Sequence, residues 1–160
     1  MIIQVPKVSV DGSHYVGEEP ADILELQAHT QVRVTGPIRY DLHAETLSGE
    51  LLVKGEVAVD VELECGRCAE FYSTTVRVLS FLRAYEIKEN VESVDLTPDL
   101  REDVLLEMPA YPVCSTACQG LCPQCGANLN QGPCACRPVQ IGGAWSGLDG
   151  LKLGPPSDGK

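Results

Sequence analysis

The sequence predicts a β-rich α+β fold: a twisted antiparallel sheet or partial barrel, one covering helix, and a cysteine-rich C-terminal appendage. Three observations predict it. Leu51, Val53, Gly55, Val57, Val59, Val61, Leu63 and Cys65 occupy every second position, with Lys54, Glu56, Asp60, Glu62 and Glu64 between them. This is the period of a strand with one dry and one wet face. The apolar content is mostly Val, Leu, Ala and Ile, and the only aromatics are Phe71, Phe81, Trp145 and five tyrosines, which suits a sheet better than a helix bundle. Six of the eight cysteines fall within 114–136, where large apolar side chains are scarce.

The elements follow in order. Residues 1–10 read as a strand through Ile3, Val5, Val8 and Val10, ending at the turn signal Asp11-Gly12-Ser13. Residues 11–22 are polar and read as loop, and Ile23, Leu24 and Leu26 read as a short strand. Val32 and Val34, then Ile38, Tyr40 and Leu42, alternate around Gly36-Pro37 and predict a strand broken by a bulge or turn. The long strand over 51–65 is followed by a less regular one at about 71–85 through Thr74, Val76, Val78, Phe81, Arg83 and Tyr85. The two form a hairpin with Cys65-Gly66-Arg67-Cys68 at its tip. Residues 86–95 read as an acidic loop. A helix over about 97–108 opens at Thr97-Pro98-Asp99, with Thr97 as cap and Pro98 preorganised for the first turn. Asp99, Glu102 and Asp103 favour its N-terminal dipole; Leu100, Val104, Leu105 and Met108 form its apolar face; Pro109 and Pro112 stop it. The organisation is thus a β domain over 1–110, an appendage over 111–138, and a partly disordered tail over 139–160 with a docked turn at Trp145, Leu148 and Leu151.

Charge narrows the function. Residues 1–110 carry 21 acids and 9 bases, whereas 111–160 carry 2 acids and 3 bases. The formal net charge of −11 therefore arises in the first two-thirds. Such a surface repels naked nucleic acid, since phosphate binding rests on Lys and Arg, and suits a basic protein partner. The start Met1-Ile2-Ile3-Gln4-Val5-Pro6-Lys7 is unlike a signal peptide, and no run is long enough to span a membrane. These features predict a cytoplasmic protein, where thiols stay reduced.

The cysteines form four pairs: Cys65/Cys68, Cys114/Cys118, Cys122/Cys125 and Cys134/Cys136. Zinc prefers four thiolates in a tetrahedron, and a two-residue gap lets one tight turn present two sulfurs to one ion. The appendage is too poor in apolar side chains to hold itself together without such a staple. Four pairs make two sites in three ways. The favoured partition joins Cys65, Cys68, Cys114 and Cys118, tying the hairpin tip to the segment leaving the helix. Cys122, Cys125, Cys134 and Cys136 then form a second, local site, giving two zinc ions. The runner-up joins Cys65/Cys68 with Cys122/Cys125 as in a zinc ribbon, and an iron–sulfur cluster takes the same set of four cysteines.

No catalytic chemistry is predicted. Four thiolates fill the coordination sphere, whereas catalytic zinc keeps a position for water. A redox Cys-x-x-Cys opens a helix in a βαβ setting, while Cys65 closes a strand. His14, His29 and His43 lack metal-ligand spacing, and no phosphate loop or nucleophile elbow occurs. Arg67, at the knuckle tip, is either a partner contact or the counter-charge to its own thiolates.

Three stretches together resemble a known family. They are Leu63-Glu64-Cys65-Gly66-Arg67-Cys68 after the long strand; Asp95-Leu96 with Leu105-Leu106-Glu107-Met108-Pro109 and Pro112-Val113-Cys114; and Gly120-Leu121-Cys122-Pro123-Gln124-Cys125-Gly126-Ala127-Asn128-Leu129-Asn130 with Cys134-Ala135-Cys136. They resemble the signatures of the YceD-like family, the large ribosomal RNA subunit accumulation proteins, roughly from Gly36 to Cys136. The resemblance implies a non-enzymatic role in synthesis, processing or stability of 23S ribosomal RNA. Its implied partners are the large-subunit RNA precursor or a basic large-subunit ribosomal protein, with no small-molecule substrate and no membrane. Some members lack the third signature, in keeping with a separate local site at Cys122–Cys136. The family's basic tail is reduced here to Arg137, Lys152 and Lys160. Two other classes remain open on the residues: a zinc-stabilised interaction module outside ribosome biology, and a thiol redox enzyme or ribonuclease.

Overall fold

The computed structural model describes residues 1–137 apart from 10, 28, 89 and 90. The tail expected over 139–160, with its turn at Trp145, Leu148 and Leu151, lies outside the described residues. Strand β1 is Ile2–Gln4, β2 Ser13–Glu19, β3 Val32–Val34, β4 Ile38–Leu47, β5 Glu50–Glu64, β6 Phe71–Glu86 and β7 Ser93–Asp95; the helix α1 is Thr97–Glu107. Every named strand pairing is antiparallel. The main sheet is twisted and open, not closed into a barrel, and β2 and β6 are edge strands.

Strand β5 organises the fold. One of its edges pairs with β6 along its whole length, from Glu50↔Glu86 to Glu64↔Phe71. The other edge pairs first with β4 from Leu47↔Glu50 to Arg39↔Ala58, and then with β3 from Val34↔Val61 to Val32↔Leu63. β3 and β4 therefore lie end to end along one edge of β5, interrupted at Gly36-Pro37, as the alternation predicts. The β4–β5 turn is two residues long, and Ser48 and Gly49 have φ of 53° and 86°. Two positive φ angles give the type I′ turn whose twist matches the flanking strands.

The alternation of β5 is realised as burial. Leu51, Val53, Val57, Val59, Val61, Leu63 and Cys65 are all buried. Each such aliphatic side chain contributes roughly 1.5–3 kcal/mol on leaving water. Ile3, Leu24, Ile38, Leu42, Val76, Val78 and Phe81 complete this layer, and Leu96, Leu100 and Val104 cover it. Strand β6 alternates less regularly because the register shifts: Gly55 faces Phe81, yet Val57 faces Val78. The extra residue on β6 is a bulge, so that Leu79, 67% exposed, and Ser80 both lie exposed between buried Val78 and Phe81.

Helix α1 is tied to β6 by charge as well as packing. The Arg83 guanidinium donates to Asp99 at 3.2 Å and to Asp103, and the Tyr85 hydroxyl donates to Asp99. Two acids of α1, Asp99 and Asp103, thus serve the helix–sheet contact. Arg101 on the same helix pairs with Glu25 at 2.7 Å.

Several local expectations are corrected. Residues 13–19, read as loop, form the edge strand β2. Ile23 and Leu24 belong to a 3-10 turn over Ala21–Leu24, which ends at Glu25 with φ 53°. β1 stops at Gln4, and a second 3-10 turn occupies Val5–Lys7. The acidic loop over 86–95 contains β7, which pairs with β1. Thr97 is not the helix cap. Its own N–H is received by Asp95 Oδ1 at 2.9 Å, and its Oγ1 accepts from the Met1 amino group at 2.6 Å. Among the described residues no helix is long and apolar enough to cross a membrane.

Candidate metal centres

The period-two pattern carries Cys65 to the end of the buried face of β5. There the Cys65 N–H donates to the Glu70 carbonyl and the Ala69 N–H to the Cys65 carbonyl, both at 2.9 Å. Ala69 has φ 58°, so the chain reverses tightly and returns Cys68 to the same side. Beyond α1, the prolines at 109 and 112 send the chain back toward this tip, where Gly66 N–H meets the Pro112 carbonyl at 2.8 Å. That contact delivers Cys114. A turn closed by Cys118 N–H to Ser115 O, at 3.2 Å, brings in Cys118.

The eight sulfurs fall into two groups, Cys65 with Cys68, Cys114 and Cys118, and Cys122 with Cys125, Cys134 and Cys136. Within each group all sulfurs lie within 4.8 Å of one another. The Cys65 and Cys118 sulfurs are 3.9 Å apart, those of Cys68 and Cys114 3.8 Å, and those of Cys122 and Cys134 3.4 Å. All eight are free thiols. An ion bonded to four sulfurs at about 2.3 Å has sulfur–sulfur edges of about 3.8 Å. The donor set and its spacing therefore fit one metal ion per group. Of the three possible partitions the geometry is that of the first, and the ribbon-like partition is not the one formed.

The electrostatics of the groups fit the same use. Burial opposes ionisation of Cys65, but the backbone N–H groups of Cys114, Cys68 and Arg67 outweigh it and bring the thiol down to about 6. Those of Cys114 and Arg67 each point at its sulfur from 3.4 Å. The N–H groups of Cys125 and Gln124, and then the Cys134 thiol, bring Cys122 down to about 6. In contrast, Cys114 is pushed up to about 12, first by its hydrogen bond with Cys118 and then by burial. Cys136 is pushed up to about 12 by Cys125 and then by burial. Sulfurs this close cannot all carry negative charge alone, and a bound cation removes that conflict.

Arg67 is exposed, and its Nη1 reaches the Thr116 carbonyl at 3.4 Å and the Cys118 carbonyl at 3.2 Å. Its own carbonyl accepts the Leu121 N–H at 2.9 Å. The Arg67 side chain therefore ties the hairpin tip to the Cys114–Cys118 turn of the same group, and its backbone carbonyl holds the segment that leads into Cys122. Gly120 packs on this spot with φ 76°, where a Cβ would sit 3.0 Å from the Arg67 carbonyl oxygen.

Reading the residues alone did not single out Asn130. Its Nδ2 donates to the Cys118 sulfur at 3.3 Å, and its Oδ1 accepts the Gln119 N–H at 2.8 Å. It lies in the loop between Cys125 and Cys134, so it belongs in sequence to one group and in contact to the other. The only sequence signal was its place in the Asn128-Leu129-Asn130 stretch.

These features define a class: an open antiparallel sheet whose central hairpin ends in a four-cysteine cluster, continued by a second such cluster in a short, poorly apolar segment. The model of the family described as large ribosomal RNA subunit accumulation protein YceD matches residues 53–152, and the chain belongs to that family. An uncharacterized protein of Mycobacterium tuberculosis is 39% identical, over 91% of this chain and 75% of its own length. The large ribosomal RNA subunit accumulation protein YceD of Haemophilus influenzae is 30% identical, over 64% of this chain and 68% of its own. A chloroplastic YCED homolog 1 of Arabidopsis thaliana is 41% identical over 46 residues, 29% of this chain and 14% of its own. No solved structure matches the chain.

Proposed function

We propose that this chain is a non-catalytic factor in biogenesis of the large ribosomal subunit, supporting the synthesis, processing or stability of 23S ribosomal RNA in the cytoplasm. The observation that carries the proposal is the family match over residues 53–152, which contains both cysteine groups whole. In this reading each group holds one structural zinc ion. All-thiolate tetrahedral donor sets at these distances suit zinc, and four thiolates fill its coordination sphere, so no position remains for an activated water. Zinc would then supply folding energy to the segment 111–137 and fix it to the tip of β5 and β6.

The partner in this reading is the large-subunit RNA precursor or a basic ribosomal protein bound to it. The net charge of −11 favours protein contact over bare phosphate. Crosslinking in cell extracts separates the two targets.

The decisive test is the ratio of large- to small-subunit ribosomal RNA, with precursor ends mapped, after depletion of the protein and in cells carrying Cys65→Ser. The proposal expects a fall of the large-subunit species on depletion and a similar fall with Cys65→Ser. A normal ratio with normal precursor ends would remove the ribosomal role and favour a zinc-stabilised interaction module acting elsewhere.

A further inference from the structure

The two cysteine groups are joined by one side chain. The Asn130 amide uses both of its ends: Oδ1 accepts the Gln119 N–H at 2.8 Å, and Nδ2 donates to the Cys118 sulfur at 3.3 Å and to Asn128 Oδ1 at 2.9 Å. This fixes the orientation of the amide, because only the nitrogen end can donate to sulfur.

Asn130 is itself placed by the second group. Cys125 and Cys134 bracket it in sequence, so the sulfurs of that group close the loop that carries it. Within the loop, Cys122 N–H meets the Ala127 carbonyl at 2.8 Å, Leu121 bridges Asn128, and Leu129 N–H meets the Gly120 carbonyl at 2.9 Å. The Asn130 N–H then closes on Asn128 Oδ1 at 3.0 Å. Apart from Cys118, Gly120 and Cys122, no residue of 114–137 is buried, so little else orders this loop.

We propose that Asn130 couples the two metal sites: an ion at Cys122, Cys125, Cys134 and Cys136 orders the loop, and the ordered loop supplies the hydrogen bond that completes the site at Cys65, Cys68, Cys114 and Cys118. The coupling rests on the zinc reading given above. Hydrogen bonds to ligating atoms raise metal affinity by about 10- to 100-fold, so the first site binds more tightly when the second is filled. Linkage requires the reverse effect to be equal, so filling the first site tightens the second by the same factor. Asn130 is a positioning residue and touches no ion itself.

The test is a zinc-buffered titration of the full chain in which free thiols are alkylated and each cysteine peptide is quantified by mass spectrometry. Occupancy of the two sites is thereby read separately. Four proteins form a cycle: the natural chain, Asn130→Asp, Cys134→Ser with Cys136→Ser, and the combination. Asn130→Asp keeps the acceptor for the Gln119 N–H but loses the donor to Cys118. It is expected to weaken the first site by about 10-fold or more while site two still fills. Loss of Cys134 and Cys136 is expected to weaken the first site by a similar factor in the natural chain and by no further factor in the Asn130→Asp background. Asn130→Ala repeats the measurement without an introduced charge. Unchanged affinity at Cys65, Cys68, Cys114 and Cys118 in both Asn130 variants would overturn the coupling, as would effects of the two lesions that simply multiply. A natural chain that takes up no zinc at either group would instead overturn the zinc reading and the coupling together.

Discussion

Gly55 and the Asp41 carbonyl approach so closely that a Cβ on Gly55 would lie 2.1 Å from the Asp41 oxygen and 2.9 Å from Leu42 Cα. The contact sits beside the register shift between β5 and β6, and Gly55 has φ 155°. A methyl group there meets backbone, which has no rotamer to escape into. Backbone strain of this kind costs about 1–3 kcal/mol, and forced overpacking costs about 1–3 kcal/mol more. Gly55→Ala is therefore expected to lower the urea midpoint of the whole sheet with the slope unchanged. A midpoint equal to that of the natural chain would show that β4 can move away freely.

Asp60 lies on the outer face of β5 and accepts from Arg39 and from Thr75 Oγ1, both at 2.7 Å. The Arg39 hydrogen bond, then the Thr75 one, holds its carboxyl at about 2, below its ordinary 3.8. A carboxyl depressed by folding stabilises above its unfolded value and loses that contribution as pH falls toward its folded value. The window is thus between pH 3.8 and about 2. Carbon-detected NMR should place the Asp60 midpoint near the bottom of that window, and Arg39→Gln should move it up. A midpoint at the ordinary value in the natural chain would mean that the pair is open in solution.

The legibility of this fold in sequence divides along physical lines. β5 was readable because both of its neighbours bury one face, so period two is enforced over its whole length. β6 was blurred by one bulged residue at Leu79-Ser80, which resets the alternation between Val78 and Phe81. β2 was missed because an edge strand is specified by backbone pairing with β4, and His14, Val16 and Glu18 need not be apolar or polar in any order. β7 pairs only with β1, which lies some ninety residues away in sequence, so no local pattern could reveal it. Ile23 and Leu24 misled for the opposite reason: a short apolar run fits a buried 3-10 turn as well as a strand. Among the cysteines, knuckle spacing left three partitions open. What decides between them in space is the Gly66–Pro112 contact, a long-range backbone hydrogen bond that leaves no trace in spacing.

Metal removal should dissect the molecule unevenly. The main core draws on β1 to β7, Leu24, Leu96 and α1, and among the described residues no hydrophobic side chain beyond Met108 packs against it. Residues 111–137 instead have buried positions only at Cys118, Gly120 and Cys122, so their order depends on the sulfur groups. Treatment with a strong zinc chelator under reducing conditions is expected to abolish amide protection over 111–137 while the central amides of β5 and β6 stay protected. Hydrogen exchange read by NMR checks this residue by residue. Uniform loss of protection through β5 would show that the first metal site holds the sheet as well as the appendage.

Arg67 separates a structural from a partner-binding role. Within its guanidinium, only Nη1 hydrogen-bonds to described residues, to the carbonyls of Thr116 and Cys118, and the residue is exposed. Exposed hydrogen bonds of this kind contribute about 1 kcal/mol, too little to decide whether a four-thiolate site fills. Arg67→Glu is therefore expected to retain full zinc at both groups. If the exposed residue meets phosphate or an acidic partner segment, the same change reverses the charge at the contact and should reduce co-sedimentation with large-subunit precursors at least several-fold. Arg67→Lys, which keeps charge but loses the planar fork, should fall between the two. Loss of zinc from Cys65, Cys68, Cys114 and Cys118 in Arg67→Glu would assign the residue to the site itself. Intact zinc with unchanged co-sedimentation would leave Arg67 as the counter-charge of its own knuckle and move the search for the contact to the acidic faces of the sheet.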